Sequence, residues 1–267
     1  FSKSTCKLLP DNRTSQVQSG DIIRLRLPQN SLIDLRTFTM YYDGSTETSG
    51  ATSLAHFPRL SSSVIETLTI FVNGTQIENI QNYHLLYNTL YDLDGGGIDQ
   101  QAKRHLENID PSVWYTPTAD SATTGTVQNT LLPGTTNAKT DAGTNDRKFI
   151  INSWLGWLST CSTPVIDTND LNEVIIEIRL ASPDICYLSG VTAVATTLGN
   201  ANAFFLKKVG FTISKIVFND PMYYNLKASK LLGDGLTLGY NTYINTKGGA
   251  TLKSTSMNVY TNINTTS

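Results

Sequence analysis

Residues 21–27 alternate strictly: Ile23, Leu25 and Leu27 fall on one side, Ile22, Arg24 and Arg26 on the other. Successive side chains of a strand point to opposite faces of its sheet, so this run predicts a strand with one buried face. A turn at Pro28-Gln29-Asn30-Ser31 leads into a second predicted strand, 34–42, rich in Thr, Phe and Tyr. The polar stretch 43–52 that follows has no periodicity. Further on, Leu68, Ile70 and Val72 alternate with Thr69 and Phe71, then come Asn73-Gly74 and a second β-forming run from Thr75. Asn-Gly between such runs predicts a hairpin, because both central residues of a type I′ turn need positive φ. The period then changes. Ile80, Tyr83, Tyr87, Leu90 and Tyr91 recur at three and four residues, which predicts an amphipathic helix over 80–93 stopped by Gly95-Gly96-Gly97.

Residues 99–107 could add a short second helix. From 116 to 145 the chain is Thr, Gly, Ala, Asn and Asp with few apolar positions, which predicts one long surface loop. Strand character returns at 147–152, followed by the apolar cluster Trp154, Leu155, Trp157 and Leu158. Val174, Ile176, Ile178 and Leu180 share one face of a strand over 172–180, with Glu177 and Arg179 opposite, and 204–218 is a longer strand with a possible break at Gly210. Asn219-Asp220-Pro221 starts a helix with a capping side chain and a proline at its first position. Met222, Tyr223 and Leu226 form its apolar stripe, and Gly233 to Gly235 stop it. Strand alternation then resumes through Leu236, Leu238, Tyr240, Thr242 and Ile244, with a turn at Lys247-Gly248-Gly249 and a last strand over 252–263. This second series resembles the opening of the chain, which is therefore expected to be an excerpt of a longer protein.

Composition narrows the class. Of 267 residues, 36 are Thr, 23 Ser and 22 Asn, while only 16% are charged. Little Lys and Glu beside so many β-branched and small polar residues argues against a helical bundle. A hydrophobic fraction of 39% is enough for a core, so wholesale disorder is excluded. A net charge of −2 lacks the basic footprint of a dedicated nucleic-acid binder, and no run of about 18 apolar residues offers a membrane span.

Candidate chemistry is sparse. His56, His84 and His105 have no metal-ligand spacing and read as structural or solvent-facing. Asp92-Leu93-Asp94-Gly95-Gly96-Gly97 opens like a calcium loop, but position five is Gly96 and position twelve is Lys103, where a bidentate Glu is needed. Glu173 and Glu177 could form a glycosidase pair. Arg179 shares their face, so an ion-paired surface ladder fits better. Trp154 and Trp157 could stack a sugar or fill a core. Lys207-Lys208 and Arg24 with Arg26 are isolated basic spots. Cys6, Cys161 and Cys186, odd in number and widely spaced, read as thiols; whether any two pair is open. No catalytic, cofactor or metal residues are therefore assigned.

The run from Ile65 to Glu78, with Phe71-Val72-Asn73-Gly74-Thr75, followed by Asn82-Tyr83-His84-Leu85-Leu86-Tyr87-Asn88, resembles the double jelly-roll major capsid proteins of virophages and polinton-like viruses. So do Ile166-Asp167-Thr168, the strand ending in Arg179-Leu180, the segment Phe211 to Phe218, and the Tyr223-Tyr224 helix after Asp220. The resemblance implies an all-β fold: a first jelly roll over 1–218 carrying the loop 116–145, then an inter-roll helix and the first strands of a second roll over 219–267. It also implies homotrimeric capsomers of pseudo-hexagonal outline, neighbouring capsomers, pentons and minor capsid proteins as partners, and an icosahedral shell around double-stranded DNA. The location would be the virion, assembled inside the host cell, with no enzymatic activity, no cofactor, no sequence-specific nucleic-acid contact and no membrane span. Alternatives are a carbohydrate-binding β-sandwich such as a viral spike or lectin, a single jelly-roll penton or minor capsid protein, and a β-sandwich glycosidase.

Overall fold

The computed structural model describes residues 2–12, 16–47, 53–56, 58, 60–94, 147–190, 203–217, 221–233 and 237–244. The expected short helix at 99–107, the loop 116–145, the glycine stops at 95–97 and the strand 252–263 lie outside them.

Twelve strands are described: β1 (Ser2–Leu8), β2 (Gln16–Gln18), β3 (Ile22–Arg26), β4 (Leu32–Glu47), β5 (Ser53–His56), β6 (Ile65–Val72), β7 (Thr75–Gln81), β8 (Arg147–Ile151), β9 (Val165–Asp167), β10 (Val174–Leu180), β11 (Tyr187–Gly190) and β12 (Ala203–Val217). The helices are α1 (Tyr83–Asp94), the one-turn α2 (Trp157–Thr160) and α3 (Thr168–Leu171), and α4 (Pro221–Leu232). One sheet runs β1-β12-β4-β8, with β2 added to β12 and β9 to β4, and the other runs β3-β10-β6-β7. β5 and β11 form a separate ribbon.

The pairing follows one rule. Take β1, β3, β4, β6, β7, β8, β10 and β12 as first to eighth. The first pairs with the eighth, the second with the seventh, the third with the sixth and the fourth with the fifth, all antiparallel. Two further pairings, third with eighth and fourth with seventh, join these into sheets. A long hairpin ribbon rolled on itself gives that order, which is the jelly roll.

Period-2 patterning decides which side chains enter the roll. Ile23 and Leu25 of β3, Leu68 and Ile70 of β6, and Ile176 and Ile178 of β10 are all buried. They join Phe38 and Met40 of β4 and Phe211 and Ile213 of β12 in one core. Each such side chain contributes about 1.5–3 kcal/mol when fully buried. Phe38 stacks on Phe211 at 5.6 Å between ring centroids. On the outer face of the β3-β10-β6 sheet, Arg24 pairs with Glu177, Arg26 with Glu173 and Asp11, and Arg179 with Glu66. On the other sheet, Asp34 is buried between Lys3 and Arg36. Burial works against its charge, but hydrogen bonds from Arg36 and Lys3 outweigh that and hold its carboxyl below the ordinary aspartate value.

The Asn73-Gly74 hairpin forms as expected, with φ of 49° and 77° at the two residues. The helix after it starts at Tyr83 rather than at residue 80. Ile80 instead completes β7, paired with Leu68 and buried, and Asn82 at φ 52° redirects the chain between the ladder and the helix. β4 extends through part of the stretch that shows no periodicity, because pairing with β8 on one side and β12 on the other continues to Gly44 and Glu47. In β12 one register shift falls just before Gly210, between Lys207 and Gly210, where Lys208 has φ 50°, and a second lies between Thr212 and Ser214. Gly210 lies under the Tyr41 ring, whose hydroxyl would sit 2.3 Å from a Cβ there. The strand expected from residue 236 is not one over 237–244, which is an extended segment without a ladder.

Candidate assembly surface

Helix α4 leaves the end of β12 with Pro221 as its first residue, the position where a missing N–H costs nothing. Much of its apolar surface is exposed: none of its residues is buried, Met222 is 79% exposed and Leu232 90%. Tyr224, Leu226 and Leu231 are exposed as well, as is Val217 at the end of β12. Exposed apolar side chains gathered on one helix make it a candidate interaction surface.

The helix is nevertheless fixed to the roll. Lys227, its side chain 10% exposed, pairs with Asp167 and, at 2.8 Å, with Asp170. Asp167 also caps the short helix α3 by accepting the N–H of Asn169 at 3.0 Å. Burial opposes the charge on Lys227, but the two carboxylates outweigh it and raise its pKa above the ordinary lysine value. Between α4, β9 and α3 lies a cavity of about 450 Å³ lined by Val165, Leu171, Tyr223, Leu226, Leu231 and Leu238.

Beyond the helix, the segment 237–244 straps across the roll. The Ser162 N–H donates to the Gly239 carbonyl at 2.7 Å, and the Gly239 N–H donates back to the Ser162 hydroxyl at 3.2 Å. Asn241 N–H donates to the Thr160 hydroxyl at 2.9 Å, and the Tyr240 hydroxyl donates to the Ile77 carbonyl at 2.6 Å. Two side-chain hydroxyls thus take part where a ladder would use backbone groups. Under the strap sits Glu78 of β7, 2% exposed. Its Oε2 accepts the Trp157 N–H at 2.5 Å, the Thr242 side chain hydrogen-bonds its carboxylate, and its Oε1 has no hydrogen-bond partner among the described residues.

The structure separates the residues singled out from the sequence. Glu173 and Glu177 are surface ion-pair partners of Arg26 and Arg24. Trp154 and Trp157 are buried, which corrects the sugar-platform reading. Trp154 packs on Phe38 and donates its Nε1–H to the Phe38 carbonyl at 2.9 Å, so its ring is engaged in the core. Lys208 pairs with Asp43 at 2.9 Å. His84 is half-buried on α1, His56 belongs to β5, and His105 lies outside the described residues. Asp94 ends α1, and the rest of the calcium-like run is outside them too. Cys6, Cys161 and Cys186 are free thiols, and burial pushes the Cys186 thiol up to about 12. Among the described residues no cluster of His, Cys, Asp and Glu could hold a metal, and no helix is long and apolar enough to cross a membrane.

Sequence reasoning missed Glu78 and Lys227. A signal for Glu78 existed: it is two residues before Ile80 on one strand, so it shares the inward face. For Lys227 there was none, since its partners lie 57 and 60 positions earlier in the chain.

No family model and no curated protein matches the chain. Among solved structures it is similar to the PBCV-1 virus capsid, at 12% identity over 84% of this chain and 44% of that one, with a TM-score of 0.43. It is similar to the Faustovirus major capsid protein at 10% identity over 86% and 56%, TM-score 0.45. The STIV MCP gives 13% identity over 88% and 52%, TM-score 0.39. The chain spans about half the length of these proteins. Its own strand order makes the described body an all-β jelly roll.

Proposed function

We propose that the chain is part of a structural capsid protein of the double jelly-roll type. Residues 1–218 form the first roll, and 219–267 hold the inter-roll helix and the first strands of the second. Three copies of the whole protein make a pseudo-hexagonal capsomer that meets other capsomers, pentons and minor capsid proteins. These capsomers build an icosahedral shell around double-stranded DNA in the virion, assembled inside the host cell, and the subunit has no catalytic role. The observation that carries this reading is a rolled eight-strand order followed by a helix fastened to the roll with Met222, Leu226 and Leu232 exposed. A subunit made for assembly needs exposed apolar side chains of this kind. A single-roll penton or minor protein could share the strand order, but the exposed helix favours more protein beyond it.

Electron microscopy of the full-length protein, purified after expression, tests the reading. Trimeric particles of hexagonal outline are expected. A population of single-roll monomers that forms no larger particle at any concentration would overturn it.

A further inference from the structure

The strap rests on a carboxyl group to which no cation among the described residues is paired. Glu78 is buried on β7, with Ile70 of β6 as its cross-strand neighbour and the turn into α2 against it, where a Cβ on Gly156 would lie 2.1 Å from Oε1. The groups around it are the Trp157 N–H from α2 and, from the strap, the Thr242 side chain and the Tyr240 phenol, whose hydroxyl is committed to the Ile77 carbonyl. The Tyr83 phenol of α1 accepts the Leu155 N–H at 3.1 Å, one residue before Gly156. Among the described residues no lysine, arginine or histidine forms an ion pair with Glu78. A buried carboxylate with two donors, one bare oxygen and no counter-charge is costly when ionised.

We propose that Glu78 is a proton-controlled fastening: the segment 237–244 is held against the roll while Glu78 is protonated and loosens when it ionises. The sign follows from the geometry. When the strap lifts, water reaches the carboxylate and its pKa returns toward the ordinary value. When the strap is closed, burial raises it, more than the Trp157 and Thr242 hydrogen bonds lower it. The open state therefore binds the proton less tightly, and opening becomes easier as pH rises from the usual glutamate range to the raised value, then levels off. Because 237–244 lies a few residues beyond α4, the same proton would set how firmly the chain beyond the helix is held to the roll.

Hydrogen exchange of the full-length protein between pH 4 and 9, corrected for intrinsic exchange rates, tests this. Protection at 238–242 is expected to fall by up to about tenfold per pH unit within that window, one proton's worth, and then to level off. In Glu78→Gln the protection should be independent of pH. Tyr240→Phe, which removes the bond to Ile77, should lower protection at every pH and keep the slope. NMR titration of the Glu78 carboxyl carbon in the wild type supplies a reading that does not depend on any variant folding. Equal slopes in wild type and Glu78→Gln, or a carboxyl titrating at the ordinary glutamate value with the strap closed, would overturn the proposal.

Discussion

Helices α1 and α4 are both twelve residues long, both follow a β-strand closely, and both carry tyrosines and leucines at helical spacing. Their fates differ. In α1, Tyr83, Tyr87 and Tyr91 stack one turn apart at 5.9 and 6.2 Å and are buried against the roll. In α4 no residue is buried as a whole, and a deep tie to the roll is ionic, Lys227 with Asp167 and Asp170. An apolar stripe predicts a helix in both cases, but only a partner surface decides whether burial stabilises it. The roll supplies that surface for α1. For α4 it supplies an ionic fastening and leaves Met222, Leu226 and Leu232 exposed.

The largest effect that sharpens this contrast is at Tyr87. Tyr87→Ala opens a gap in a stacked, buried ladder and should cost about 3–5 kcal/mol in chemical denaturation of the subunit. A loss below about 1 kcal/mol would mean that α1 is no better packed than α4. Lys227→Ala comes next. It strips two partly buried carboxylates of their cation and should cost about 1–3 kcal/mol, read as faster hydrogen exchange in α4 with the roll unchanged. Equal loosening of β4 and β12 would contradict the account, because it would make the ion pair part of the roll rather than the tie of one helix.

The fold was largely legible where one period ran without interruption. Ile23-Arg24-Leu25 and Ile176-Glu177-Ile178 declare their buried face outright, and Asn73-Gly74 declares its turn. What failed has a physical cause. Ile80 fits both the strand period and the helix period, and its cross-strand partner Leu68 decides in favour of the strand. Leu238 and Tyr240 alternate like strand residues and pack against the core, but the backbone at Gly239 and Asn241 bonds to Ser162 and Thr160 rather than to a strand ladder. The burial of Glu78 was written in the alternation of β7, and its charge hid it. The pairing that defines the roll joins Ser2 with Val217, a separation no local pattern carries.

The smallest effect on the free subunit is expected at Leu226. Because its side chain is already exposed, Leu226→Ala should change subunit stability by no more than about 0.5 kcal/mol. In the trimer proposed above, the same substitution should weaken assembly several-fold, measured as the concentration at which it dissociates in size-exclusion chromatography with light scattering.

The most direct test compares the two helices in the assembled protein. Hydroxyl-radical footprinting would report oxidation of Met222, Leu226 and Leu232 in α4 beside Tyr87 in α1, first in dissociated subunits and then in capsomers. The account predicts that Tyr87 is protected in both states, whereas the α4 residues react readily in subunits and become protected on assembly. Equal reactivity of Met222, Leu226 and Leu232 before and after assembly would contradict it, because the exposed face of α4 would then have no partner to meet.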